Sequence, residues 1–270
     1  MNRKREIISW VLAVLVTLSL SVYQRMTGPT QPISSVEKVG GKEFKFTFAR
    51  SHAGEGGEAV KVETDDNAAT AELQFKRYPS GDSLVRVYMV RYGTALMAEL
   101  PHQPPAGKLQ YQVFVRSGDT GPIPLTTDPV VIRFRGDVPA WALILHIVII
   151  FSAMMFSAKS CADAFMGGER IKLYSLLTVI TLFAGGFIFG PIVQKFSFDA
   201  FWTGWPFGHD LTDNKTALAL IVWAAAYWRI AKDGNAKLWA AVAGLVLLAV
   251  FLVPHSLLGS ELDYTKMPNP

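Results

Sequence analysis

Uninterrupted apolar runs and strictly alternating ones occupy different parts of this chain. The uninterrupted runs cover residues 7–23, 139–158, 173–193, 216–230 and 238–253. A bilayer core of about 30 Å takes about 20 mostly apolar residues of helix, so such runs predict membrane-crossing helices. The first run follows Arg3, Lys4 and Arg5, the layout of either a secretory signal or a retained anchor. Its 17 residues exceed a typical signal core, and no small-x-small cleavage site precedes Gln24 and Arg25, which favours an anchor. Within 173–193, Gly186 and Gly190 form a small-xxx-small pair that lets a neighbouring helix come close.

Between the first two apolar runs the period changes to two. Residues 42–50 (KEFKFTFAR), 71–77 (AELQFKR), 84–90 (LVRVYMV) and 108–115 (KLQYQVFV) alternate polar with apolar positions, the mark of half-buried antiparallel strands. Turn residues separate them at 54–57, 65–67, 79–82, Gly93 and 117–119. About seven short strands at this spacing predict a β-sandwich over residues 27–137. The run 100–113 (LPHQPPAGKLQYQV) resembles the proline-rich turn and following strand of a fibronectin type III or related Ig-like module, in which a tyrosine pins the corner. The resemblance extends over about 100 residues and implies a fold, not an activity.

The predicted architecture is therefore an α+β membrane protein: an anchor helix or signal over 1–26, an Ig/fibronectin-III-like sandwich over 27–137, a four-helix transmembrane domain over 138–258 and a tail over 259–270. Basic residues orient it. Lys159, Arg170 and Lys172 in one loop, and Arg229, Lys232 and Lys237 in another, join Arg3, Lys4 and Arg5 on the cytoplasmic side. The sandwich, the connection 198–215 and the tail then face outward, as expected of a multi-pass protein of a bacterial inner membrane.

Composition narrows the chemistry. Half of the residues are hydrophobic, only 18% are charged, and the net charge is +4. No basic cluster suits nucleic acid. The single cysteine, Cys161, has no partner for a disulfide or a CxxC metal site. Nucleotide-binding glycine loops, HExxH and GxSxG are absent from the sequence.

One connection is too rich to be a plain link. Residues 198–215 (FDAFWTGWPFGHDLTDNK) hold five aromatics, two glycines, a proline, a histidine and three aspartates. Its aromatics suit a membrane interface or a lid. Thr212 or Asp213 is placed to cap the next helix. The predicted topology also puts three histidines on one side. His209 lies in this connection and His255 follows the last helix, while His146 sits seven residues, or about 10 Å, into its helix. An ionisable residue at that depth is a functional candidate. With Asp210 and Glu261, and Asp213 and Asp263 near by, the set suits a transition metal, and two histidines alone suit haem. The plainer reading makes His146 a donor to a neighbouring helix, His209–Asp210 a turn, and His52 and His102 surface residues of the sandwich.

Two functional classes follow. One is a non-catalytic envelope protein, a binding protein or complex subunit. It is held in the lipid bilayer and engages a partner protein through its sandwich. The other is a membrane metalloprotein or haem-containing redox protein with a site built from His146, His209 and His255. A transporter fits poorly with four or five helices and no visible repeat.

Overall fold

Among the described residues, five helices and two β-sheets give an α+β architecture. The computed structural model describes residues 3–233, 236–254, 259 and 261–264. The chain divides into two compact units, Met1–Pro29 with Val138–Ser260, and Thr30–Asp137 with Glu261–Pro270.

The second unit is built from strands β1 (Ile33–Val39), β2 (Lys42–Phe48), β3 (Ser51–Ala53), β4 (Glu58–Glu63), β5 (Thr70–Arg77), β6 (Val85–Tyr88), β7 (Val90–Tyr92), β8 (Ala95–Leu100), β9 (Lys108–Arg116), β10 (Ile123–Pro124) and β11 (Val130–Arg135). One sheet has the order β1-β2-β4-β8-β7. The other runs β3-β11-β9-β5-β6, with β10 on β9. Only β3 with β11 is parallel among the described pairs.

Period-two alternation decides which side chains go inside. Phe44, Phe46 and Phe48 of β2 are buried while Lys45 and Thr47 stay exposed. Leu73 of β5 and Val113 of β9 are fully buried as opposed residues in register, and residues of both sheets share one core. Each such side chain contributes about 1.5–3 kcal/mol by leaving water. The predicted strand over 84–90 is two strands. β6 pairs with β5 and β7 with β8, and the Met89 N–H donates to Ala71 O (2.9 Å) where the chain changes sheets. One extended stretch is thus the edge of both sheets.

The first unit holds α1 (Arg3–Thr27), α2 (Ala140–Met166), α3 (Ile171–Phe198), α4 (Leu211–Asp233) and α5 (Ala236–Leu252). Helices α1, α2 and α3 are long and apolar enough to cross a membrane, and α5 is a shorter apolar helix. Helix α2 continues eight residues past the predicted end, so Lys159 lies inside it rather than in a loop. Asp163 one turn on neutralises Lys159 (2.5 Å), and Gly167, with φ +76°, ends the helix.

Helix α3 carries a π-helical segment, Ala184–Phe189, and its sequence explains why. Pro191 has no N–H to continue the α ladder, and the Gly190 N–H bonds Gly185 O instead. Glycines permit the close packing there: a Cβ on Gly186 would lie 2.4 Å from Thr216 Cγ2 of α4, and one on Gly185 would lie 3.1 Å from the Ile150 backbone of α2. Around this seam Leu182, Ala153 and Trp223 form a dry core with Leu247 and Phe251.

Candidate functional site

The connection between α3 and α4 is a built structure. Asp210, not Thr212 or Asp213, caps α4: its Oδ1 accepts the Thr212 N–H (2.8 Å) and the Asp213 N–H (3.4 Å), and its carbonyl accepts the Asn214 N–H (3.1 Å). Asp213 holds the preceding loop. Its Oδ2 accepts from Thr203 N (2.7 Å), Gly204 N (2.9 Å), Gln194 Nε2 (3.2 Å) and the Thr203 hydroxyl (3.3 Å). Asn214 Oδ1 adds the Trp205 N–H (2.7 Å). Glycine is required at 204, because a Cβ would stand 2.6 Å from Asp213 Cβ. The buried base leaves Phe201, Trp205 and Phe207 exposed at the tip. Its carboxylates organise backbone.

The other predicted site residues that are described lie on separate elements. His146 is half-buried on α2 with Nδ1 3.0 Å from Gly185 O, at the π segment. His209 is exposed beside the buried Asp210. Glu261 belongs to the β unit, where it pairs with Lys108. His255 lies outside the described residues. Among the described residues no group of three or more His, Cys, Asp or Glu side chains is placed to hold a metal. In the β unit His52 Nδ1 meets Glu58 (2.6 Å) and His102 Nδ1 meets Gly56 O (2.8 Å).

Two arrangements were not foreseen from the sequence. In the helical unit Lys159 and Asp163 are each about 1% exposed, and the ammonium stands 4.7 Å from the Tyr174 ring centre and 5.3 Å from that of Trp10. The aromatic faces share the charge that water cannot reach. The signal was present: a lysine and an aspartate four apart in an otherwise apolar helix.

The second arrangement is in the β unit. Lys108 of β9 lies directly opposite Arg133 of β11, and both are buried. Like charges opposed across strands repel, and Glu261 supplies the countercharge to Lys108. Burial holds the Lys108 ammonium below the usual lysine pKa. The Glu261 hydrogen bond opposes that fall and Arg133 adds to it. The Leu262 N–H donates to Ala106 O (3.2 Å). Tyr264 is buried, and its hydroxyl accepts the Lys108 N–H (2.9 Å) with Gln103 Oε1 (3.0 Å) and Lys108 O (3.1 Å) in reach of its proton. Arg77, gripped by Asp82 (2.5 Å), faces the Tyr264 ring at 5.1 Å. A Cβ on Gly107 would meet the Tyr264 hydroxyl at 2.8 Å. A cavity of about 470 Å³, lined in part by Arg77, Asp82, Gln103 and Leu109, adjoins this seat. No local pattern announces the contact, since 153 residues separate Lys108 from Glu261.

No protein-family model matches the chain, and neither a curated protein nor a solved structure is significantly similar to it.

Proposed function

We propose that the protein is a multi-pass protein of a bacterial inner membrane that acts by binding, as a non-catalytic partner or complex subunit, through an outward-facing Ig-like β-sandwich. The observation that carries this reading is the edge formed by β6 and β7. Leu84, Val85, Tyr88, Val90 and Tyr92 are all exposed along it, Tyr88 at 79% and Tyr92 at 65%. Sheet edges present unpaired N–H and C=O groups, and folded proteins ordinarily blunt them with charge, proline or cover. An edge with exposed aromatic and branched side chains suits strand addition by a partner.

Two further observations support the architecture. Both sheets contribute to one core, and the Tyr111 hydroxyl donates to Ala49 O (2.9 Å), a tyrosine pinning a distant backbone as in the resembled module. For the topology, Glu261–Tyr264 belongs with residues 30–137 although four helices intervene. A chain that leaves and regains one side of a bilayer crosses it an even number of times, which α2 to α5 satisfy. Arg170 and Lys172, with Arg229, Lys232 and Lys237, remain the cytoplasmic charges.

The test is photo-crosslinking in cells from a benzophenone amino acid at Tyr88 or Tyr92. A discrete protein adduct is expected, lost when Val90→Lys places a charge on the edge. Absence of any adduct from both positions would overturn the reading.

A further inference from the structure

The seat of the Glu261–Tyr264 segment has the features of a ligand site rather than of ordinary tail packing. Its parts come from the β8–β9 connection and β9. Lys108 Nζ takes a carboxylate, Ala106 O takes a backbone N–H, and Lys108 N–H with Gln103 Oε1 brackets one phenol. Arg77 covers the phenol ring, and Gly107 leaves room for its oxygen. The seat therefore reads two side chains three residues apart and one backbone group between them. The site also has a reason to stay filled. Lys108 is buried opposite Arg133, so removing Glu261 takes the countercharge from a buried ammonium.

We propose that this seat is a peptide-recognition site for a Glu-x-x-Tyr segment, occupied in the resting protein by the chain's own Glu261–Tyr264 and open to exchange with the same motif on another chain. The bound segment is held by one half-exposed carboxylate, one backbone bond and one phenol, few enough contacts for a competing peptide to replace it. The proposal deepens the binding reading above but rests on different residues. Failed exchange would leave crosslinks from Tyr88 standing, and failed crosslinks would leave exchange standing.

The test uses the full chain in detergent and a fluorescein-labelled synthetic peptide with the sequence of residues 259–267, followed by fluorescence anisotropy. The variant Glu261→Ala with Tyr264→Ala empties the seat and is expected to bind the peptide at least ten-fold more tightly than the unaltered protein. Peptides carrying Glu→Gln or Tyr→Phe should lose about ten-fold in affinity for that variant, and adding Lys108→Met should remove binding. Should the double variant fail to fold, Tyr264→Phe alone is measured the same way and should bind the peptide about three-fold more tightly. Equal affinity for opened and unaltered protein, or binding indifferent to the peptide's Glu and Tyr, overturns the proposal.

Discussion

Asp213, in the first turn of α4, and Glu261, nine residues past the end of α5, both lie near aromatics and other acids in the sequence, where they are candidates for the same chemistry. Their partners separate them. Asp213 accepts from the backbone of Thr203 and Gly204, ten and nine residues earlier. Glu261 pairs with Lys108, 153 residues earlier. A tight loop with several unsatisfied N–H groups captures a nearby carboxylate, because each N–H left unmet out of water costs about 1–3 kcal/mol. An extended segment offers its carboxylate no such donors, so a distant cation takes it. The first arrangement is a brace. The second is a contact that can open.

The sharpest way to break this contrast is Asp213→Ala, which strips acceptors from two backbone N–H groups, Gln194 and the Thr203 hydroxyl together. A loss of about 3 kcal/mol in helical-unit stability is expected, with altered Trp fluorescence from the loop, measured by thermal unfolding in detergent. Unchanged melting would mean the brace is not real. Tyr264→Phe should cost about 2 kcal/mol, since it leaves the buried Lys108 N–H without its acceptor, and Glu261→Gln about 1 kcal/mol, since Glu261 is half exposed. That loss should appear in the β unit, measured as protease resistance of residues 30–137, with the helical unit unchanged.

Acidification tests the β unit separately. The Ser117 hydroxyl holds the Asp66 carboxyl below its usual pKa, and Arg77 does the same for Asp82. A carboxyl depressed in the folded state adds stability above its unfolded pKa, near 3.8, and loses it as pH falls through the lower folded value. β-unit stability should therefore fall below about pH 4, and Asp82→Asn should flatten that fall. The smallest effect is expected at His209→Ala: exposed beside the braced loop, it should change stability by less than about 0.5 kcal/mol.

Much of the fold was legible because burial on one face imposes a period. Strands β2, β5 and β9 begin within a residue of where alternation predicts, and the five apolar runs are the cores of the five helices. The stretch 84–90 misled because its alternation continues unbroken through Met89 while its partner sheet changes. β11 is harder to read because the apolar run Val130-Val131-Ile132 precedes the short alternation of Arg133, Phe134 and Arg135. Lys159 looked like the end of α2, since an isolated lysine marks a membrane boundary, yet Asp163 one turn later cancels its charge. The candidate chemistry was less legible still. A shared side of the membrane does not by itself bring histidines and acids into contact, which depends on register and loop closure. Nothing near Glu261 in sequence names Lys108.

The central claim is that Glu261–Tyr264 belongs to the β unit, seated on the β8–β9 connection. Disulfide trapping tests it directly, in a chain with Cys161→Ser. The Leu262 N–H and Ala106 O are 3.2 Å apart, which brings the two Cα atoms within disulfide reach. Leu262→Cys with Ala106→Cys should cross-link rapidly and nearly completely under mild oxidation, while Leu262→Cys with Asp119→Cys, past the far end of β9, should not. The reverse outcome, a bond between positions 262 and 119 and none between 262 and 106, would contradict the account.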